Sequence, residues 1–135
     1  AFLFPAKKLV SMKGRDSHTG NGWKMYVDEN VVVAEFTEAV AFDEVEQINE
    51  TFLALTARDG VNATVACIDM EDAAGRKMLD GAQAAAKEAK DNGLEKWAIA
   101  DDGIGKLAIK NRVDLPEYEV EAFDERTPAV DWAKE

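Results

Sequence analysis

The sequence predicts an α/β fold: a mixed, mostly parallel sheet of four or five strands with about four helices. Short β-prone runs alternate with segments whose apolar residues recur at helical spacing, and the connections are brief and marked by Gly, Asp and Asn. A length of 135 residues suits one domain. With 47% hydrophobic and 32% charged residues the chain can bury a core and keep a wetted surface, which excludes disorder over the whole length.

Residues 1–22 differ from the rest. Ala1 to Lys8 has no apolar core of the length a signal peptide needs, and Lys13 to Gly22 is polar and glycine-punctuated, so 1–22 reads as a flexible leader or cloning remnant before a single domain at 23–135. Trp23 to Val27 and Val31 to Phe36 flank the turn-forming Asp28-Glu29-Asn30 and predict a hairpin. Phe42, Val45, Ile48, Asn49, Phe52, Leu53 and Leu55 recur at helical spacing in a first helix, with Asp43 and Glu46 as its expected capping box and Gly60 near its end. Ala63 to Ile68 is a continuous apolar run, as in a strand covered on both faces.

A second helix spans Asp72 to Asn92 and stops at Gly93. Its apolar face is mostly small (Ala74, Ala82, Ala85, Ala86, Ala89, with Met78 and Leu79), so it can approach the sheet closely or, alternatively, a second copy of the chain in a homodimer. Trp97 to Ala100 is a further buried strand, leading through Asp101-Asp102-Gly103 into a short helix from Ile104 to Arg112. Tyr118 to Phe123 alternates with period two, the pattern of an edge strand, and Thr127 with Pro128 opens a last helix. The predicted sheet core contains Val32, Ala34, Val65, Cys67, Ile99 and Ala100.

The charge pattern narrows the function. With 27 acidic against 16 basic residues the net charge is -11, and residues 1–22 carry +3 of it, leaving -14 on the rest. Such a field repels nucleic-acid phosphates and disfavours an anionic membrane surface. One cysteine allows no internal disulfide, and a lone histidine, His18, rules out a zinc cluster; both fit a reducing, cytoplasmic setting.

The element order, the stretch Thr64 to Asp69 entering a long helix, Lys96 to Gly103, and the closing Val120 to Arg126 with Ala129-Val130-Asp131-Trp132-Ala133 resemble the SpoIIAA-like branch of the STAS superfamily, also described as STAS/SEC14-like, over residues 23–135. The resemblance implies the SpoIIAA-like fold and a non-enzymatic regulatory role through a protein partner. It also implies a phosphorylated hydroxyl residue at the head of the helix after the buried strand. The matching stretch Asp69-Met70-Glu71-Asp72-Ala73-Ala74-Gly75 has no hydroxyl, and no serine follows Ser17, so that switch is not expected here. Asp69, Met70, Glu71 and Asp72 are instead the partner-binding candidates, with fixed negative charge where a phosphate would sit. The SEC14-like description implies an alternative, a pocket for an apolar ligand.

Other chemistry is weaker. Glu38, Asp69, Glu71, Asp72, Asp101 and Asp102 follow strands, where α/β sheets hold ligands, and three converging carboxylates would hold Mg²⁺ or Ca²⁺ in a metal-dependent enzyme. Helix capping by Asp72 and Asp102 accounts for them more simply, so no metal, cofactor or catalytic residue is assigned. Cys67, mid-strand and without a histidine base, reads as an inert small hydrophobe. Gly103-Ile104-Gly105-Lys106 lacks the longer glycine pattern of a phosphate loop. Lys106 and Lys110, four apart on one helix face, are the remaining partner-binding candidates.

Overall fold

The computed structural model describes residues 17–40, 42–69, 76–103 and 105–135. They form six strands, β1 (His18–Gly20), β2 (Trp23–Asp28), β3 (Val31–Thr37), β4 (Ala63–Asp69), β5 (Lys96–Ala100) and β6 (Glu119–Phe123), and four α-helices, α1 (Val45–Thr56), α2 (Arg76–Ala89), α3 (Gly105–Val113) and α4 (Arg126–Lys134). The α/β class and the number of helices match the sequence prediction; the strand count is one larger. The extra strand is β1, which pairs antiparallel with β2 inside the stretch assigned to the leader. Its three residues are all exposed, so no hydrophobic alternation announces it.

The sheet order is β1-β2-β3-β4-β5-β6, antiparallel through β3 and parallel from β3 to β6. Successive parallel strands are added in one direction, and right-handed crossovers in one direction place their helices on one face. Thus α1, α2 and α3 cover one side, over a core that includes Trp23, Met25, Val32, Phe52, Trp97 and Ile99. The last helix, α4, covers the other side, where Ala129 and Ala133 meet Val31, Val33, Val65 and Ala98. Strict alternation along β3, with Val32 and Ala34 facing one way and Val31 and Val33 the other, buries both faces of that strand.

Of the predicted sheet core, Val32, Ala34, Val65, Ile99 and Ala100 are buried, whereas Cys67 is only partly covered. β6 is an edge strand, as its alternation predicts. The small face of α2 packs inward, with Ala85, Ala86 and Ala89 buried, and Tyr118 donates a 2.6 Å hydrogen bond to the Ala86 carbonyl to hold it there.

Local capping departs from expectation at three places. The capping box of Asp43 and Glu46 does not form; the chain enters α1 through a 3-10 turn, Phe42–Glu44, and Glu44 occupies the N-cap without bonding the helix. Its carboxylate is drawn across to the β1–β2 turn, accepting from Trp23 Nε1 at 2.8 Å and Asn21 Nδ2 at 2.6 Å. Asp101, not Asp102, takes the Gly103 N–H at 3.1 Å in the turn before α3. At the C-terminus α4 starts one residue earlier than Thr127, with Glu125 at the N-cap, so Pro128 is third in the helix, still within the turn whose amides have no intrahelical acceptor. Gly93, with φ 95°, closes the turn after α2 as expected.

Candidate functional site

Two concavities flank the ends of β3 and β4. The first is apolar and lies between the sheet and the α1–α2 pair. Its floor comes from alternate residues of the strands: Met25, Ala34, Phe36, Ala66, Ile68 and Trp97. Its roof comes from Val45, Ile48, Asn49 and Phe52 of α1 and from Gly81, Ala82 and Ala85 of α2. Among its described side chains, α2 offers the void a hydrogen and two methyl groups, and a Cβ on Gly81 would still stand 3.8 Å from Val45 Cγ1. The cavity has a volume of about 70 Å³, room for about two water molecules at roughly 30 Å³ each. The partly exposed lining residues of the helices, Val45, Asn49, Gly81 and Ala82, mark a mouth between α1 and α2, and Phe36 is partly exposed on the β3 side.

Deep in the cavity the Trp97 ring is fixed between Phe52, at 5.3 Å between ring centroids, and Tyr118, at 5.9 Å edge-on. Its Nε1 is the one buried side-chain polar atom without a hydrogen bond among the described residues. Thr64, the other polar group of the floor, donates to the Val32 carbonyl at 2.8 Å and is thereby satisfied. Asn49 differs: it is half-exposed and makes no side-chain hydrogen bond among the described residues.

The second concavity is polar, about 330 Å³, and sits beyond the carboxyl ends of β3, β4 and β5, the usual ligand position in parallel sheets. It gathers Glu35, Thr37, Cys67, Asp69, Asp101, Asp102, Asp124 and Arg126. Of the sequence-predicted candidates, Asp69 is exposed on this cleft, beside Asp101 and Asp102. Met70, Glu71 and Asp72 lie outside the described residues. Lys106 and Lys110 do not form a common basic face. The Lys106 ammonium turns back to the Gly103 carbonyl at 2.6 Å and to Asp124 at 3.0 Å, while Lys110 has no ion pair among the described residues. Arg126 is likewise engaged, 2.8 Å from Glu35 and over the Tyr26 ring.

The cleft is poor in reactive groups. Burial, reinforced by the nearby Glu35 carboxylate, pushes the Cys67 thiol up to about 12, which leaves it protonated and unreactive at neutral pH. Among the described residues, no three His, Cys, Asp or Glu side chains are placed to hold a metal ion. Nor, among the described residues, is any helix long and apolar enough to cross a membrane. The apolar cavity was not identified from the sequence; its signal is the pairing of a small-residue α2 face with Asn49 on the apolar face of α1.

No protein-family model matches the chain, and no curated protein matches it. Among solved structures it is similar to the NMR structure of the protein TM1081, at 12% identity over 87% of this chain and 90% of that one, with a TM-score of 0.56. At that identity the likeness is one of fold. A crystal structure of an enoyl-CoA hydratase from Geobacillus kaustophilus HTA426 aligns at 7% identity, covering 78% of this chain and 50% of that one, with a TM-score of 0.49, too slight to carry an argument.

Proposed function

We propose that the chain is a non-enzymatic binding domain that takes a small apolar ligand into the cavity beneath α1 and α2. The observation that carries this reading is the cavity itself: a space walled by Phe36, Phe52, Ile68, Ala82 and Trp97, beside the glycine and alanines of α2. Packed interiors hold few voids larger than a water molecule, and an apolar void of this kind stays dry and takes apolar guests. The inert Cys67 and the engaged Lys106 and Arg126 support a binding role over a catalytic one. Xenon titration of the ¹⁵N-labelled chain tests it. Amide shifts centred on Phe52, Gly81, Ala82 and Trp97, saturating with xenon pressure, are the expected result; shifts absent there overturn the reading.

A second reading, a STAS-like regulatory domain for a protein partner, is favoured by the exposed carboxylates of Asp69 and Asp102 around the polar cleft. That cleft would accept a basic segment of the partner as a fixed, unswitched surface. Neutralising Asp69 and Asp102 together would then abolish binding of such a segment without lowering the melting temperature. Binding indifferent to both changes contradicts it.

A further inference from the structure

On the premise that the apolar cavity is a ligand site, we propose that its ligand is a short alkyl group bearing one uncharged hydrogen-bonding head, an alcohol or a primary amide, with that head on the Asn49 side chain at the mouth. Three observations converge on this class. The first is size: where a cavity of about 150 Å³ takes benzene, about 70 Å³ holds roughly three atoms of carbon size, the inner end of a short alkyl chain whose remaining carbons and head lie in the mouth. The second is the distribution of polar groups. Thr64 is spent on the Val32 carbonyl and Trp97 Nε1 is sealed in the core, which leaves the Asn49 amide as the lining group both reachable from outside and unpaired among the described residues. Asparagine is a poor helix former and leaves polar atoms beside the apolar residues of α1, so the helix itself gives no reason for it there. An amide both donates and accepts, and so matches a hydroxyl or another amide in either sense.

The third is charge. Among the described residues no lysine or arginine lines the cavity, and Glu46, one turn before Asn49 on α1, lies on the same side of the helix. A carboxylate head would lose its hydration beside that glutamate with no cation to meet it, in a chain whose net charge is already -11. An ammonium head would lose hydration where no described lining residue is a carboxylate, since Glu46 is exposed, outside the lining and screened by water. Uncharged heads alone avoid both costs.

Amide chemical-shift titrations of the full chain with 1-pentanol, pentanoate and pentylammonium, alongside xenon as a guest with no head, test the assignment. Pentanol is expected to bind about tenfold tighter than either charged analogue; Asn49→Ala is expected to lower pentanol affinity about threefold or more, with Asn49→Gln restoring part of it and xenon shifts retained in both variants. Equal or tighter binding of pentanoate or pentylammonium, or pentanol affinity unchanged in Asn49→Ala, overturns the head assignment while the xenon response keeps the cavity reading standing. Failure of xenon itself to perturb the lining residues overturns the cavity reading and this inference with it.

Discussion

Replacing Gly81 by alanine should stabilise the fold and weaken ligand uptake at the same time. Gly81 sits mid-way along α2, where its backbone has no need of glycine's freedom, and exchanging it for alanine in a helix interior is worth about 1 kcal/mol. The new methyl enters the half-buried roof of the cavity, meeting Val45 Cγ1 at an ordinary 3.8 Å rather than clashing, and its partial burial adds about 0.5 kcal/mol. A total near 1.5 kcal/mol, divided by an unfolding entropy of roughly 0.28 kcal/mol per kelvin for a chain of this length, raises the melting temperature by about 5 °C. Because the methyl takes up roughly one of three carbon-sized places, xenon affinity should fall. Calorimetry and the xenon titration on the same samples decide the matter. A destabilised Gly81→Ala, or a stabilised one with undiminished xenon uptake, would refute the reasoning that the glycine is there to keep the space open.

Four further outcomes are expected. Ile99→Asp places an unpaired charge at a fully buried position of β5 and should cost about 4 kcal/mol or more, seen as loss of cooperative urea unfolding. Tyr118→Phe leaves the buried Ala86 carbonyl without its donor and should cost about 1 kcal/mol by the same assay, with the fold retained. Cys67 should react with iodoacetamide at pH 8 about a thousandfold more slowly in the native chain than in urea, because burial keeps its thiol protonated. The Glu44 carboxyl is held below its usual value of 4.5 chiefly by the Trp23 indole N–H, with Asn21 assisting and partial burial opposing. Its contribution is therefore present above that value and lost as the pH falls through the lowered one, so Glu44→Gln should flatten the loss of melting temperature between pH 5 and pH 3.

The inner parallel strands β3, β4 and β5 were legible because they are buried on both faces and read as apolar runs, and β6 by its alternation, while α1 and α2 carry clear helical periodicity. Elements fixed by tertiary partners were not. β1 is three exposed residues whose only reason to be extended is the β2 edge. Glu44 looks like an ordinary acid before a helix, and nothing local shows that Trp23 and Asn21, more than twenty residues earlier, claim it. Of the strand-end acids, Asp69, Asp101 and Asp102 line one cleft, Glu38 is not among its lining residues, and Glu71 and Asp72 lie outside the described residues; Asp101 and not Asp102 accepts the Gly103 N–H in the turn before α3. The cavity was half-visible. The sequence marks α2 as small-faced and puts Asn49 among apolar residues; whether the space closes depends on how far α1 stands from α2, which local periodicity does not encode.

The central claim is that the space beneath α1 and α2 is a ligand site. The most direct measurement is the anomalous difference map of a crystal of the chain pressurised with xenon. The account predicts a peak enclosed by Phe52, Ile68, Gly81 and Trp97 with those side chains unmoved. An empty cage, with Phe52 or Val45 collapsed into it and xenon found only elsewhere, would contradict it.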